Sequence, residues 1–134
     1  MVDEFIGKWE LESSDKFDSY LAKLGVGMAL RNLAKIASPT TTISKDGDII
    51  TLVTDSKMKR TEIRFKLGEE FDETTADNRN TKTTVTMDKG KMVQTQRWDG
   101  KETTLDRELK DEKLILTCTM EDVVCTRIYR RSKC

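Results

Sequence analysis

The sequence contains no histidine and a single proline. Histidine is the commonest general base and the commonest metal ligand in proteins, so the most frequent kinds of catalytic and metal site are not indicated. Its three cysteines, Cys118, Cys125 and Cys134, show no CxxC spacing, which argues against a zinc site. No GxGxxG, P-loop or GxSxG pattern occurs. These absences indicate no enzyme, metal site or cofactor, although they do not exclude an enzyme.

Excess charge and long apolar runs are also missing. The chain has 24 basic and 24 acidic residues, and this balance gives no basic surface for nucleic acid. The apolar and glycine run at residues 26–30 is short, and no apolar run in the sequence is long enough to span a bilayer. The first residues lack the basic and apolar regions of a signal peptide, and an odd number of cysteines is not a secreted disulfide framework. We expect a cytosolic protein that is a monomer.

The apolar content is low for a folded domain. The 134 residues fit one domain, 1–134, yet only 36% are hydrophobic and 36% are charged, against roughly 25% charged in an average chain. Disordered chains are usually rich in proline or carry charge of one sign, and neither applies here. The composition therefore predicts a folded domain whose interior is not purely apolar.

From Pro39 onward, short alternating segments are separated by turn signals. The turn signals are Asp46-Gly47, Lys89-Gly90, Asp99-Gly100 and, with weaker turn chemistry, Asp111-Glu112 and Glu121-Asp122. Strands that recur every 8–12 residues or so with hairpin turns predict an antiparallel meander, closed into a sandwich or a barrel.

The segment before Pro39 has the period of helices. Phe17, Tyr20, Leu21 and Leu24 follow the i, i+3, i+4, i+7 pattern of one helix face. Residues 14–15, Ser-Asp, are predicted to cap the start of this helix, and Gly25 is predicted to end it.

A second apolar stretch at residues 28–37 predicts another helix, with Arg31 and Lys35 on its exposed side and Pro39 beyond its end. This helix could be a mobile lid over the mouth of the barrel. Ordinary packing against the barrel is the interpretation that the sequence alone favours.

Two-residue turns at residues 99–100, 111–112 and 121–122 fix the register of the last strands. Across each turn, the residue numbers of every facing pair add up to the same value. These turns predict that Leu116 lies opposite both Arg107 and Arg127, and that Cys118 lies opposite Cys125. Side chains alternate between the two faces of a strand, and the face rich in large apolar groups must be the inner one. The predicted inward residues are Met92, Gln94, Gln96, Trp98, Thr103, Leu105, Arg107, Leu109, Leu114, Leu116, Cys118, Met120, Cys125, Arg127 and Tyr129.

Two arginines therefore point inward, with backbones about 10 Å apart. A buried guanidinium cannot lose its charge and is costly without a partner, and the predicted inward set contains no carboxylate. One interpretation is a ligand carboxylate, held directly by Arg127 and Tyr129 and by Arg107 directly or through water. The other is compensation by water and by carboxylates outside this segment. Polar inward groups also require a water-filled cavity, which predicts a container rather than a packed core.

Segments along nearly the whole chain resemble the intracellular fatty-acid-binding proteins, most closely the myelin P2, adipocyte and heart branch. These segments are GKWEL (7–11), FD (17–18), KLGVG (23–27), KLGEEF (66–71), TTADNR (74–79), WDGKETT (98–104) and VCTRIY (124–129). The resemblance implies a mainly β fold, a ten-stranded antiparallel up-and-down β-barrel (a β-clam) capped by a two-helix lid at about residues 16–37. It also implies a carrier that reversibly holds one long-chain fatty acid inside the barrel.

The resemblance assigns roles to individual residues. Positions matching Arg107, Arg127 and Tyr129 hold the fatty-acid carboxylate in that family. Positions that match tail contacts and a portal are Phe17, Tyr20, Leu21, Val26, Leu30, Leu33, Ala34, Pro39, Met58, Ala76, Asp77, Arg79, Gln96, Leu105, Leu116 and Cys118. Basic residues of the family's lid helix meet membranes during transfer, so Arg31 and Lys35 are expected either to do the same or to form a solvated face.

Other functions remain open from the sequence. A retinoic-acid carrier of the same family would use a similar arginine and tyrosine site. An enzyme acting on a lipid is opposed by the missing histidine and by the lack of a nucleophile–base pair. A pure interaction module would leave the two inward arginines unexplained. The opposed thiols of Cys118 and Cys125 are expected to be reduced in the cytosol and able to oxidise in vitro.

Overall fold

The computed structural model describes residues 2–57 and 59–132. After a short 3-10 turn, Val2–Phe5, these residues form ten strands and two helices. They are β1 (Gly7–Asp15), α1 (Phe17–Leu24), α2 (Met28–Ile36), β2 (Thr40–Asp46), β3 (Ile49–Asp55), β4 (Arg60–Phe65), β5 (Phe71–Thr74), β6 (Asn80–Asp88), β7 (Lys91–Trp98), β8 (Lys101–Lys110), β9 (Lys113–Met120) and β10 (Val123–Arg131). None of the helices in this part of the chain is long and apolar enough to cross a membrane.

The strands form one antiparallel sheet in the order β4-β3-β2-β1-β10-β9-β8-β7-β6-β5. Consecutive strands pair within β1–β4 and within β5–β10, and β1 also pairs with β10, which joins the two series. Strands β4 and β5 are the two edges of this sheet. The rings of Phe65 on β4 and Phe71 on β5 stack with their centroids 5.5 Å apart, which brings the edges together. The result is the nearly closed, ten-stranded barrel that the sequence predicts.

The register predicted for the last strands is confirmed. Leu116 pairs with Arg107 on β8 and with Arg127 on β10, and Cys118 pairs with Cys125. The turn of residues 111–112 has no glycine, yet both residues take positive φ, 52° and 62°, as a tight hairpin requires. The first hairpin differs by one position from the sequence prediction. Asp46 pairs with Ile49, so residues 47–48 form its turn.

The predicted cap of α1 is wrong. Residues 14–15 belong to β1, whose pairing with β10 continues to Asp15 beyond a bulge between Leu11 and Ser13. The N-cap residue is Lys16 in the left-handed conformation, and no side chain caps the helix. Strand pairing over this segment outweighs the local capping preference of serine and aspartate. The predicted end of the helix is confirmed, because Gly25 takes φ 92° there.

Helix α2 differs from its prediction in two ways. None of its residues is buried, and Met28, Leu33 and Ile36 are 66%, 48% and 80% exposed, so it is not packed against the barrel like an ordinary amphipathic helix. Arg31 does not stand free on an exposed side either. Its Nε donates to Asp18 Oδ1 of α1 at 3.1 Å and its Nη1 donates to the carbonyl of Val26 at 3.0 Å. Two polar contacts therefore tie α2 to the first turn of α1 and to the loop that follows α1.

A compact apolar core fills part of the barrel. Its most deeply buried large side chains are Phe5, Trp9, Ile43, Ile50, Val85 and Met92. The indole nitrogen of Trp9 donates to the carbonyl of Phe5 at 3.0 Å, and the guanidinium of Arg131 lies 4.3 Å from the Trp9 ring. None of these core residues is among the described residues that line the internal cavity. Leu114, which is equally buried at 1%, belongs to the same core and does line the cavity, so core and cavity share part of their wall.

Candidate functional site

A cavity occupies the rest of the barrel interior. The space open to the centres of water molecules in it is about 210 Å³, many times the roughly 10–15 Å³ that one water needs. Apolar side chains from α1 and from strands β3, β4, β8 and β9 form much of its wall. They are Phe17, Leu21, Leu24, Leu52, Ile63, Leu105, Leu114 and Leu116. The sequence prediction of a container is in line with this space.

Two buried arginines and a buried tyrosine face this cavity. Arg107, Arg127 and Tyr129 all line it and are 7%, 4% and 4% exposed. The arginines come from β8 and β10, the strands on either side of β9, where Leu116 pairs with both of them, and Tyr129 also lies on β10. The structure therefore brings together the three residues that the sequence singles out.

The two arginines have different surroundings. Arg107 Nη1 donates to Gln94 Oε1 at 2.9 Å. Burial lowers the pKa of Arg107, although a guanidinium keeps its charge under all ordinary conditions. Arg127 lies over the ring of Phe17, 3.7 Å from its centroid, and its Nε is buried without a hydrogen-bond partner in the described chain. Arg127 is thus the less satisfied cation of the two.

A carboxylate that the sequence analysis missed also lines the cavity. Glu73 of β5 accepts hydrogen bonds on Oε1 from Thr83 Oγ1 at 2.9 Å and from the amide nitrogens of Gln94 and Gln96 at 3.0 Å each. Part of the compensation for the arginines therefore comes from outside the C-terminal segment, as one of the two interpretations required. Alternation along β5, which puts Phe71 and Glu73 on one face, is the signal that could have found it.

A second polar cluster lies where β5 passes into β6. Arg79 donates from Nε to Asp77 Oδ2 at 2.7 Å and from Nη1 to Gln96 Oε1 at 3.1 Å, and it lies 4.5 Å from the centroid of the Trp98 ring. Burial acts to raise the pKa of Asp77, but hydrogen bonds from Arg79 and Thr75 outweigh it, and this pKa lies below its usual value. The pair is therefore internally neutral.

Tyr20 of α1 marks the roof of the cavity. Its hydroxyl shares a 2.7 Å hydrogen bond with Thr103 Oγ1 on β8. Burial raises the pKa of Tyr20, so this phenol stays neutral. The hydrogen bond ties α1 to the sheet across the interior.

An apolar opening adjoins the cavity between α2 and the strand ends. Phe17, Leu21, Pro39, Ala76 and Asp77 line both spaces, so the two are continuous. Residues of the α1–α2 segment that line the opening alone are Val26, Leu30 and Ala34. The structure thus supplies a route from solvent beside α2.

The predicted tail and portal residues separate into three groups. The cavity wall includes Phe17, Tyr20, Leu21, Pro39, Ala76, Asp77, Arg79, Gln96, Leu105, Leu116 and Cys118. The opening includes Val26, Leu30 and Ala34. Leu33 is half exposed and lines neither space, and Met58 lies outside the described residues.

Cys118 and Cys125 are opposed free thiols, both buried. The hydrogen bond between the two thiols raises the pKa of Cys118, and burial raises it further. The same hydrogen bond lowers the pKa of Cys125. Oxidation of this pair in vitro stays a prediction. We expect diamide to remove two hydrogen atoms from the intact mass of a Cys134→Ser variant, and an unchanged mass would contradict it.

An antiparallel barrel with a large internal cavity, charged at one wall and apolar at its opening, defines a protein that encloses a small ligand. Comparison with known proteins gives the particular family. Residues 6–132 match the lipocalin / cytosolic fatty-acid binding protein family. The chain is 51% identical over 131 residues to fatty acid-binding protein 9 of Homo sapiens (98% of this chain, 99% of that protein), and 50% identical over 132 residues to the adipocyte fatty acid-binding protein of Pygoscelis papua (98% and 100%).

A solved structure gives the same result. The Schistosoma mansoni fatty acid binding protein in complex with arachidonic acid superposes with a TM-score of 0.94 at 39% identity, covering 98% of each chain. This chain belongs to the cytosolic fatty-acid binding protein family. The relatives are named as binding proteins, which agrees with the prediction that the chain is not an enzyme.

Proposed function

We propose that this protein carries one long-chain fatty acid, bound non-covalently inside the barrel, and that it works as a monomer in the cytosol. The ligand carboxylate would lie against Arg127 and Tyr129, with Arg107 reaching it directly or through water. The observation that carries the proposal is Arg127, a buried cation whose Nε has no hydrogen-bond partner in the described chain. A carboxylate supplies the missing acceptor and the missing charge.

Two further observations support this ligand. The walls beyond the arginines are apolar on α1, β8 and β9, through Phe17, Leu21, Leu105 and Leu116, as an alkyl chain requires. The relatives are named fatty acid-binding proteins, and one was solved with arachidonic acid.

Native mass spectrometry of the purified protein, followed by lipid extraction, tests the proposal. We expect one fatty acid per chain, and after delipidation we expect one added oleate to bind. The matched ligand is the methyl ester of oleate, which keeps the tail and loses the charge and should bind much more weakly. A protein that takes retinoic acid but refuses fatty acids would establish the retinoid carrier instead. Binding of oleate and its ester with equal affinity would overturn the carboxylate site.

We also propose that α2 makes transient contact with anionic membranes. Met28, Leu33 and Ile36 are exposed on a helix that has Arg31 and Lys35 and no acidic residue. Burying one isoleucine contributes about 2 kcal/mol.

Co-sedimentation with vesicles tests this contact. We expect binding to vesicles that contain phosphatidylglycerol, and we expect Ile36→Ser to weaken it by about tenfold. Ile49, exposed on β3, provides the matched control Ile49→Ser, which should bind as the wild type does. Equal losses in both variants would show that α2 is not the contact surface.

A further inference from the structure

Glu73 lies inside the barrel with its charge held by neutral donors. Three side-chain donors, from Thr83, Gln94 and Gln96, converge on its Oε1 at 2.9–3.0 Å. Three donors on one oxygen hold this carboxylate at a defined place on the cavity wall. The cavity therefore contains a fixed negative charge.

Gln94 connects this negative charge to Arg107. Its amide nitrogen donates to Glu73 at 3.0 Å, while its amide oxygen accepts a hydrogen bond from Arg107 Nη1 at 2.9 Å. Glu73 also acts electrostatically to raise the pKa of Arg107, against the effect of burial. Glu73 is thus the internal counter-charge of Arg107, separated from it by one amide group.

The charges on the cavity wall leave one cation unbalanced. Arg79 and Asp77 neutralise each other, with Nε and Oδ2 2.7 Å apart. The negative charge of Glu73 offsets the positive charge of Arg107, to which Gln94 connects it. Arg127 makes no ion pair among the described residues, so three arginines and two carboxylates on the wall leave one net positive charge.

We propose that Glu73 sets the headgroup selectivity of the cavity, restricting it to amphiphiles whose head carries a single negative charge. The inference rests on the proposed function and adds to it the charge class of the ligand. A monoanion neutralises Arg127 and leaves the wall balanced. A dianion leaves an excess negative charge near Glu73, in an interior where water screens charge poorly.

Decyl sulfate and decyl phosphate test this at pH 8. Both have a tetrahedral head and the same chain, but the sulfate carries one negative charge and the phosphate monoester nearly two, since its second pKa is about 6. We expect the delipidated wild type to prefer the sulfate by about tenfold or more. Glu73→Gln keeps an acceptor oxygen and removes the charge, so the preference should fall to about twofold or less. Isothermal titration calorimetry measures both affinities.

The ratio of the two affinities separates an electrostatic role from a structural one, because a merely loosened cavity weakens both ligands alike. Glu102→Gln, which removes an exposed carboxylate paired with Arg97 at the surface, is the matched control and should keep the wild-type ratio. Gln94→Glu adds a charge beside Arg107 and should raise the preference for the sulfate, which keeps a test available if Glu73→Gln does not fold.

An unchanged ratio in a folded Glu73→Gln, or a wild type without any preference, would overturn the inference. Oleate is titrated in parallel. A wild type that refuses oleate and both probes would instead reject the proposed function.

Discussion

Replacing Arg127 by glutamine is expected to weaken the binding of a long-chain fatty acid by about 100-fold, since truncating one member of a buried, hydrogen-bonded charge pair costs about 2–5 kcal/mol. Arg127 is the cation on the cavity wall without a counter-charge in the described chain, whereas Arg107 already contacts Gln94. Glutamine keeps donor capacity but lacks the charge and ends two atoms closer to the backbone, so the loss reports the charge together with the reach of the guanidinium. Titration of delipidated protein with oleate measures the effect.

Another arginine on the same strand, three residues further along, supplies a matched control. Arg130 lies on the outer face of β10 and forms a surface ion pair with Glu10 at 3.2 Å. Arg130→Gln removes the same charge from the same strand without touching the cavity, and its affinity for oleate should stay within about twofold of the wild type. If Arg127→Gln binds oleate as tightly as Arg130→Gln does, the carboxylate lies elsewhere and the proposed site is wrong.

The C-terminal half of this site was predictable from the sequence because a two-residue turn fixes which residues of its two strands face each other. Once the turns at residues 99–100, 111–112 and 121–122 are identified, the pairing of Leu116 with both arginines follows, and the structure has that pairing. Alternation then puts Arg107, Arg127 and Tyr129 on the inner face. Three local turn signals were thus enough to bring distant residues together.

Glu73 escaped this reasoning for a physical reason. The connection between β5 and β6 is a five-residue loop, residues 75–79, so no two-residue turn fixes the register of β5. The strand itself is four residues long and carries Asp72 and Glu73 next to each other after two glutamates, a pattern typical of a solvated surface. Alternation with Phe71 is the one weak signal in the sequence, and the tertiary contacts with Gln94 and Gln96 are what identify Glu73 as an interior group.

The helices show the same limit. Periodicity predicted α1 and α2, and Gly25 and Pro39 predicted where each helix stops. Periodicity could not predict whether the apolar side chains of α2 are buried. A helix with Leu30, Leu33 and Ile36 favours burial on pattern alone, yet these side chains are exposed in the structure. Helix burial depends on whether another surface is available to cover the apolar face. Here the adjoining space is an opening, lined by Val26, Leu30 and Ala34, rather than a packed core.

Arg127 should also lower the stability of the empty protein, which gives a second prediction of large effect. Delipidated Arg127→Met is expected to be more stable than the delipidated wild type by about 2 kcal/mol. Burial of an ion without a partner costs several kcal/mol even after relaxation. Against this, the Arg127 guanidinium lies 3.7 Å from the Phe17 ring centroid, and such a contact contributes about 2 kcal/mol when desolvated. The cost of burial exceeds the gain, so an apolar side chain of similar length should stabilise the ligand-free barrel.

Saturating oleate should reverse this order. At a free ligand concentration 100 times Kd the wild type gains about 2.7 kcal/mol, because the ligand binds only the folded state. Arg127→Met, whose affinity is much lower, should gain little. Urea unfolding of both proteins, with and without oleate, measures the two differences, and Arg130→Met should track the wild type in both series. A ligand-free Arg127→Met less stable than the wild type would mean that Arg127 is already satisfied inside the protein. If Arg127→Met is the more stable protein without oleate and the wild type is the more stable one with oleate, the barrel keeps an unfavourable interior charge whose partner arrives with the ligand.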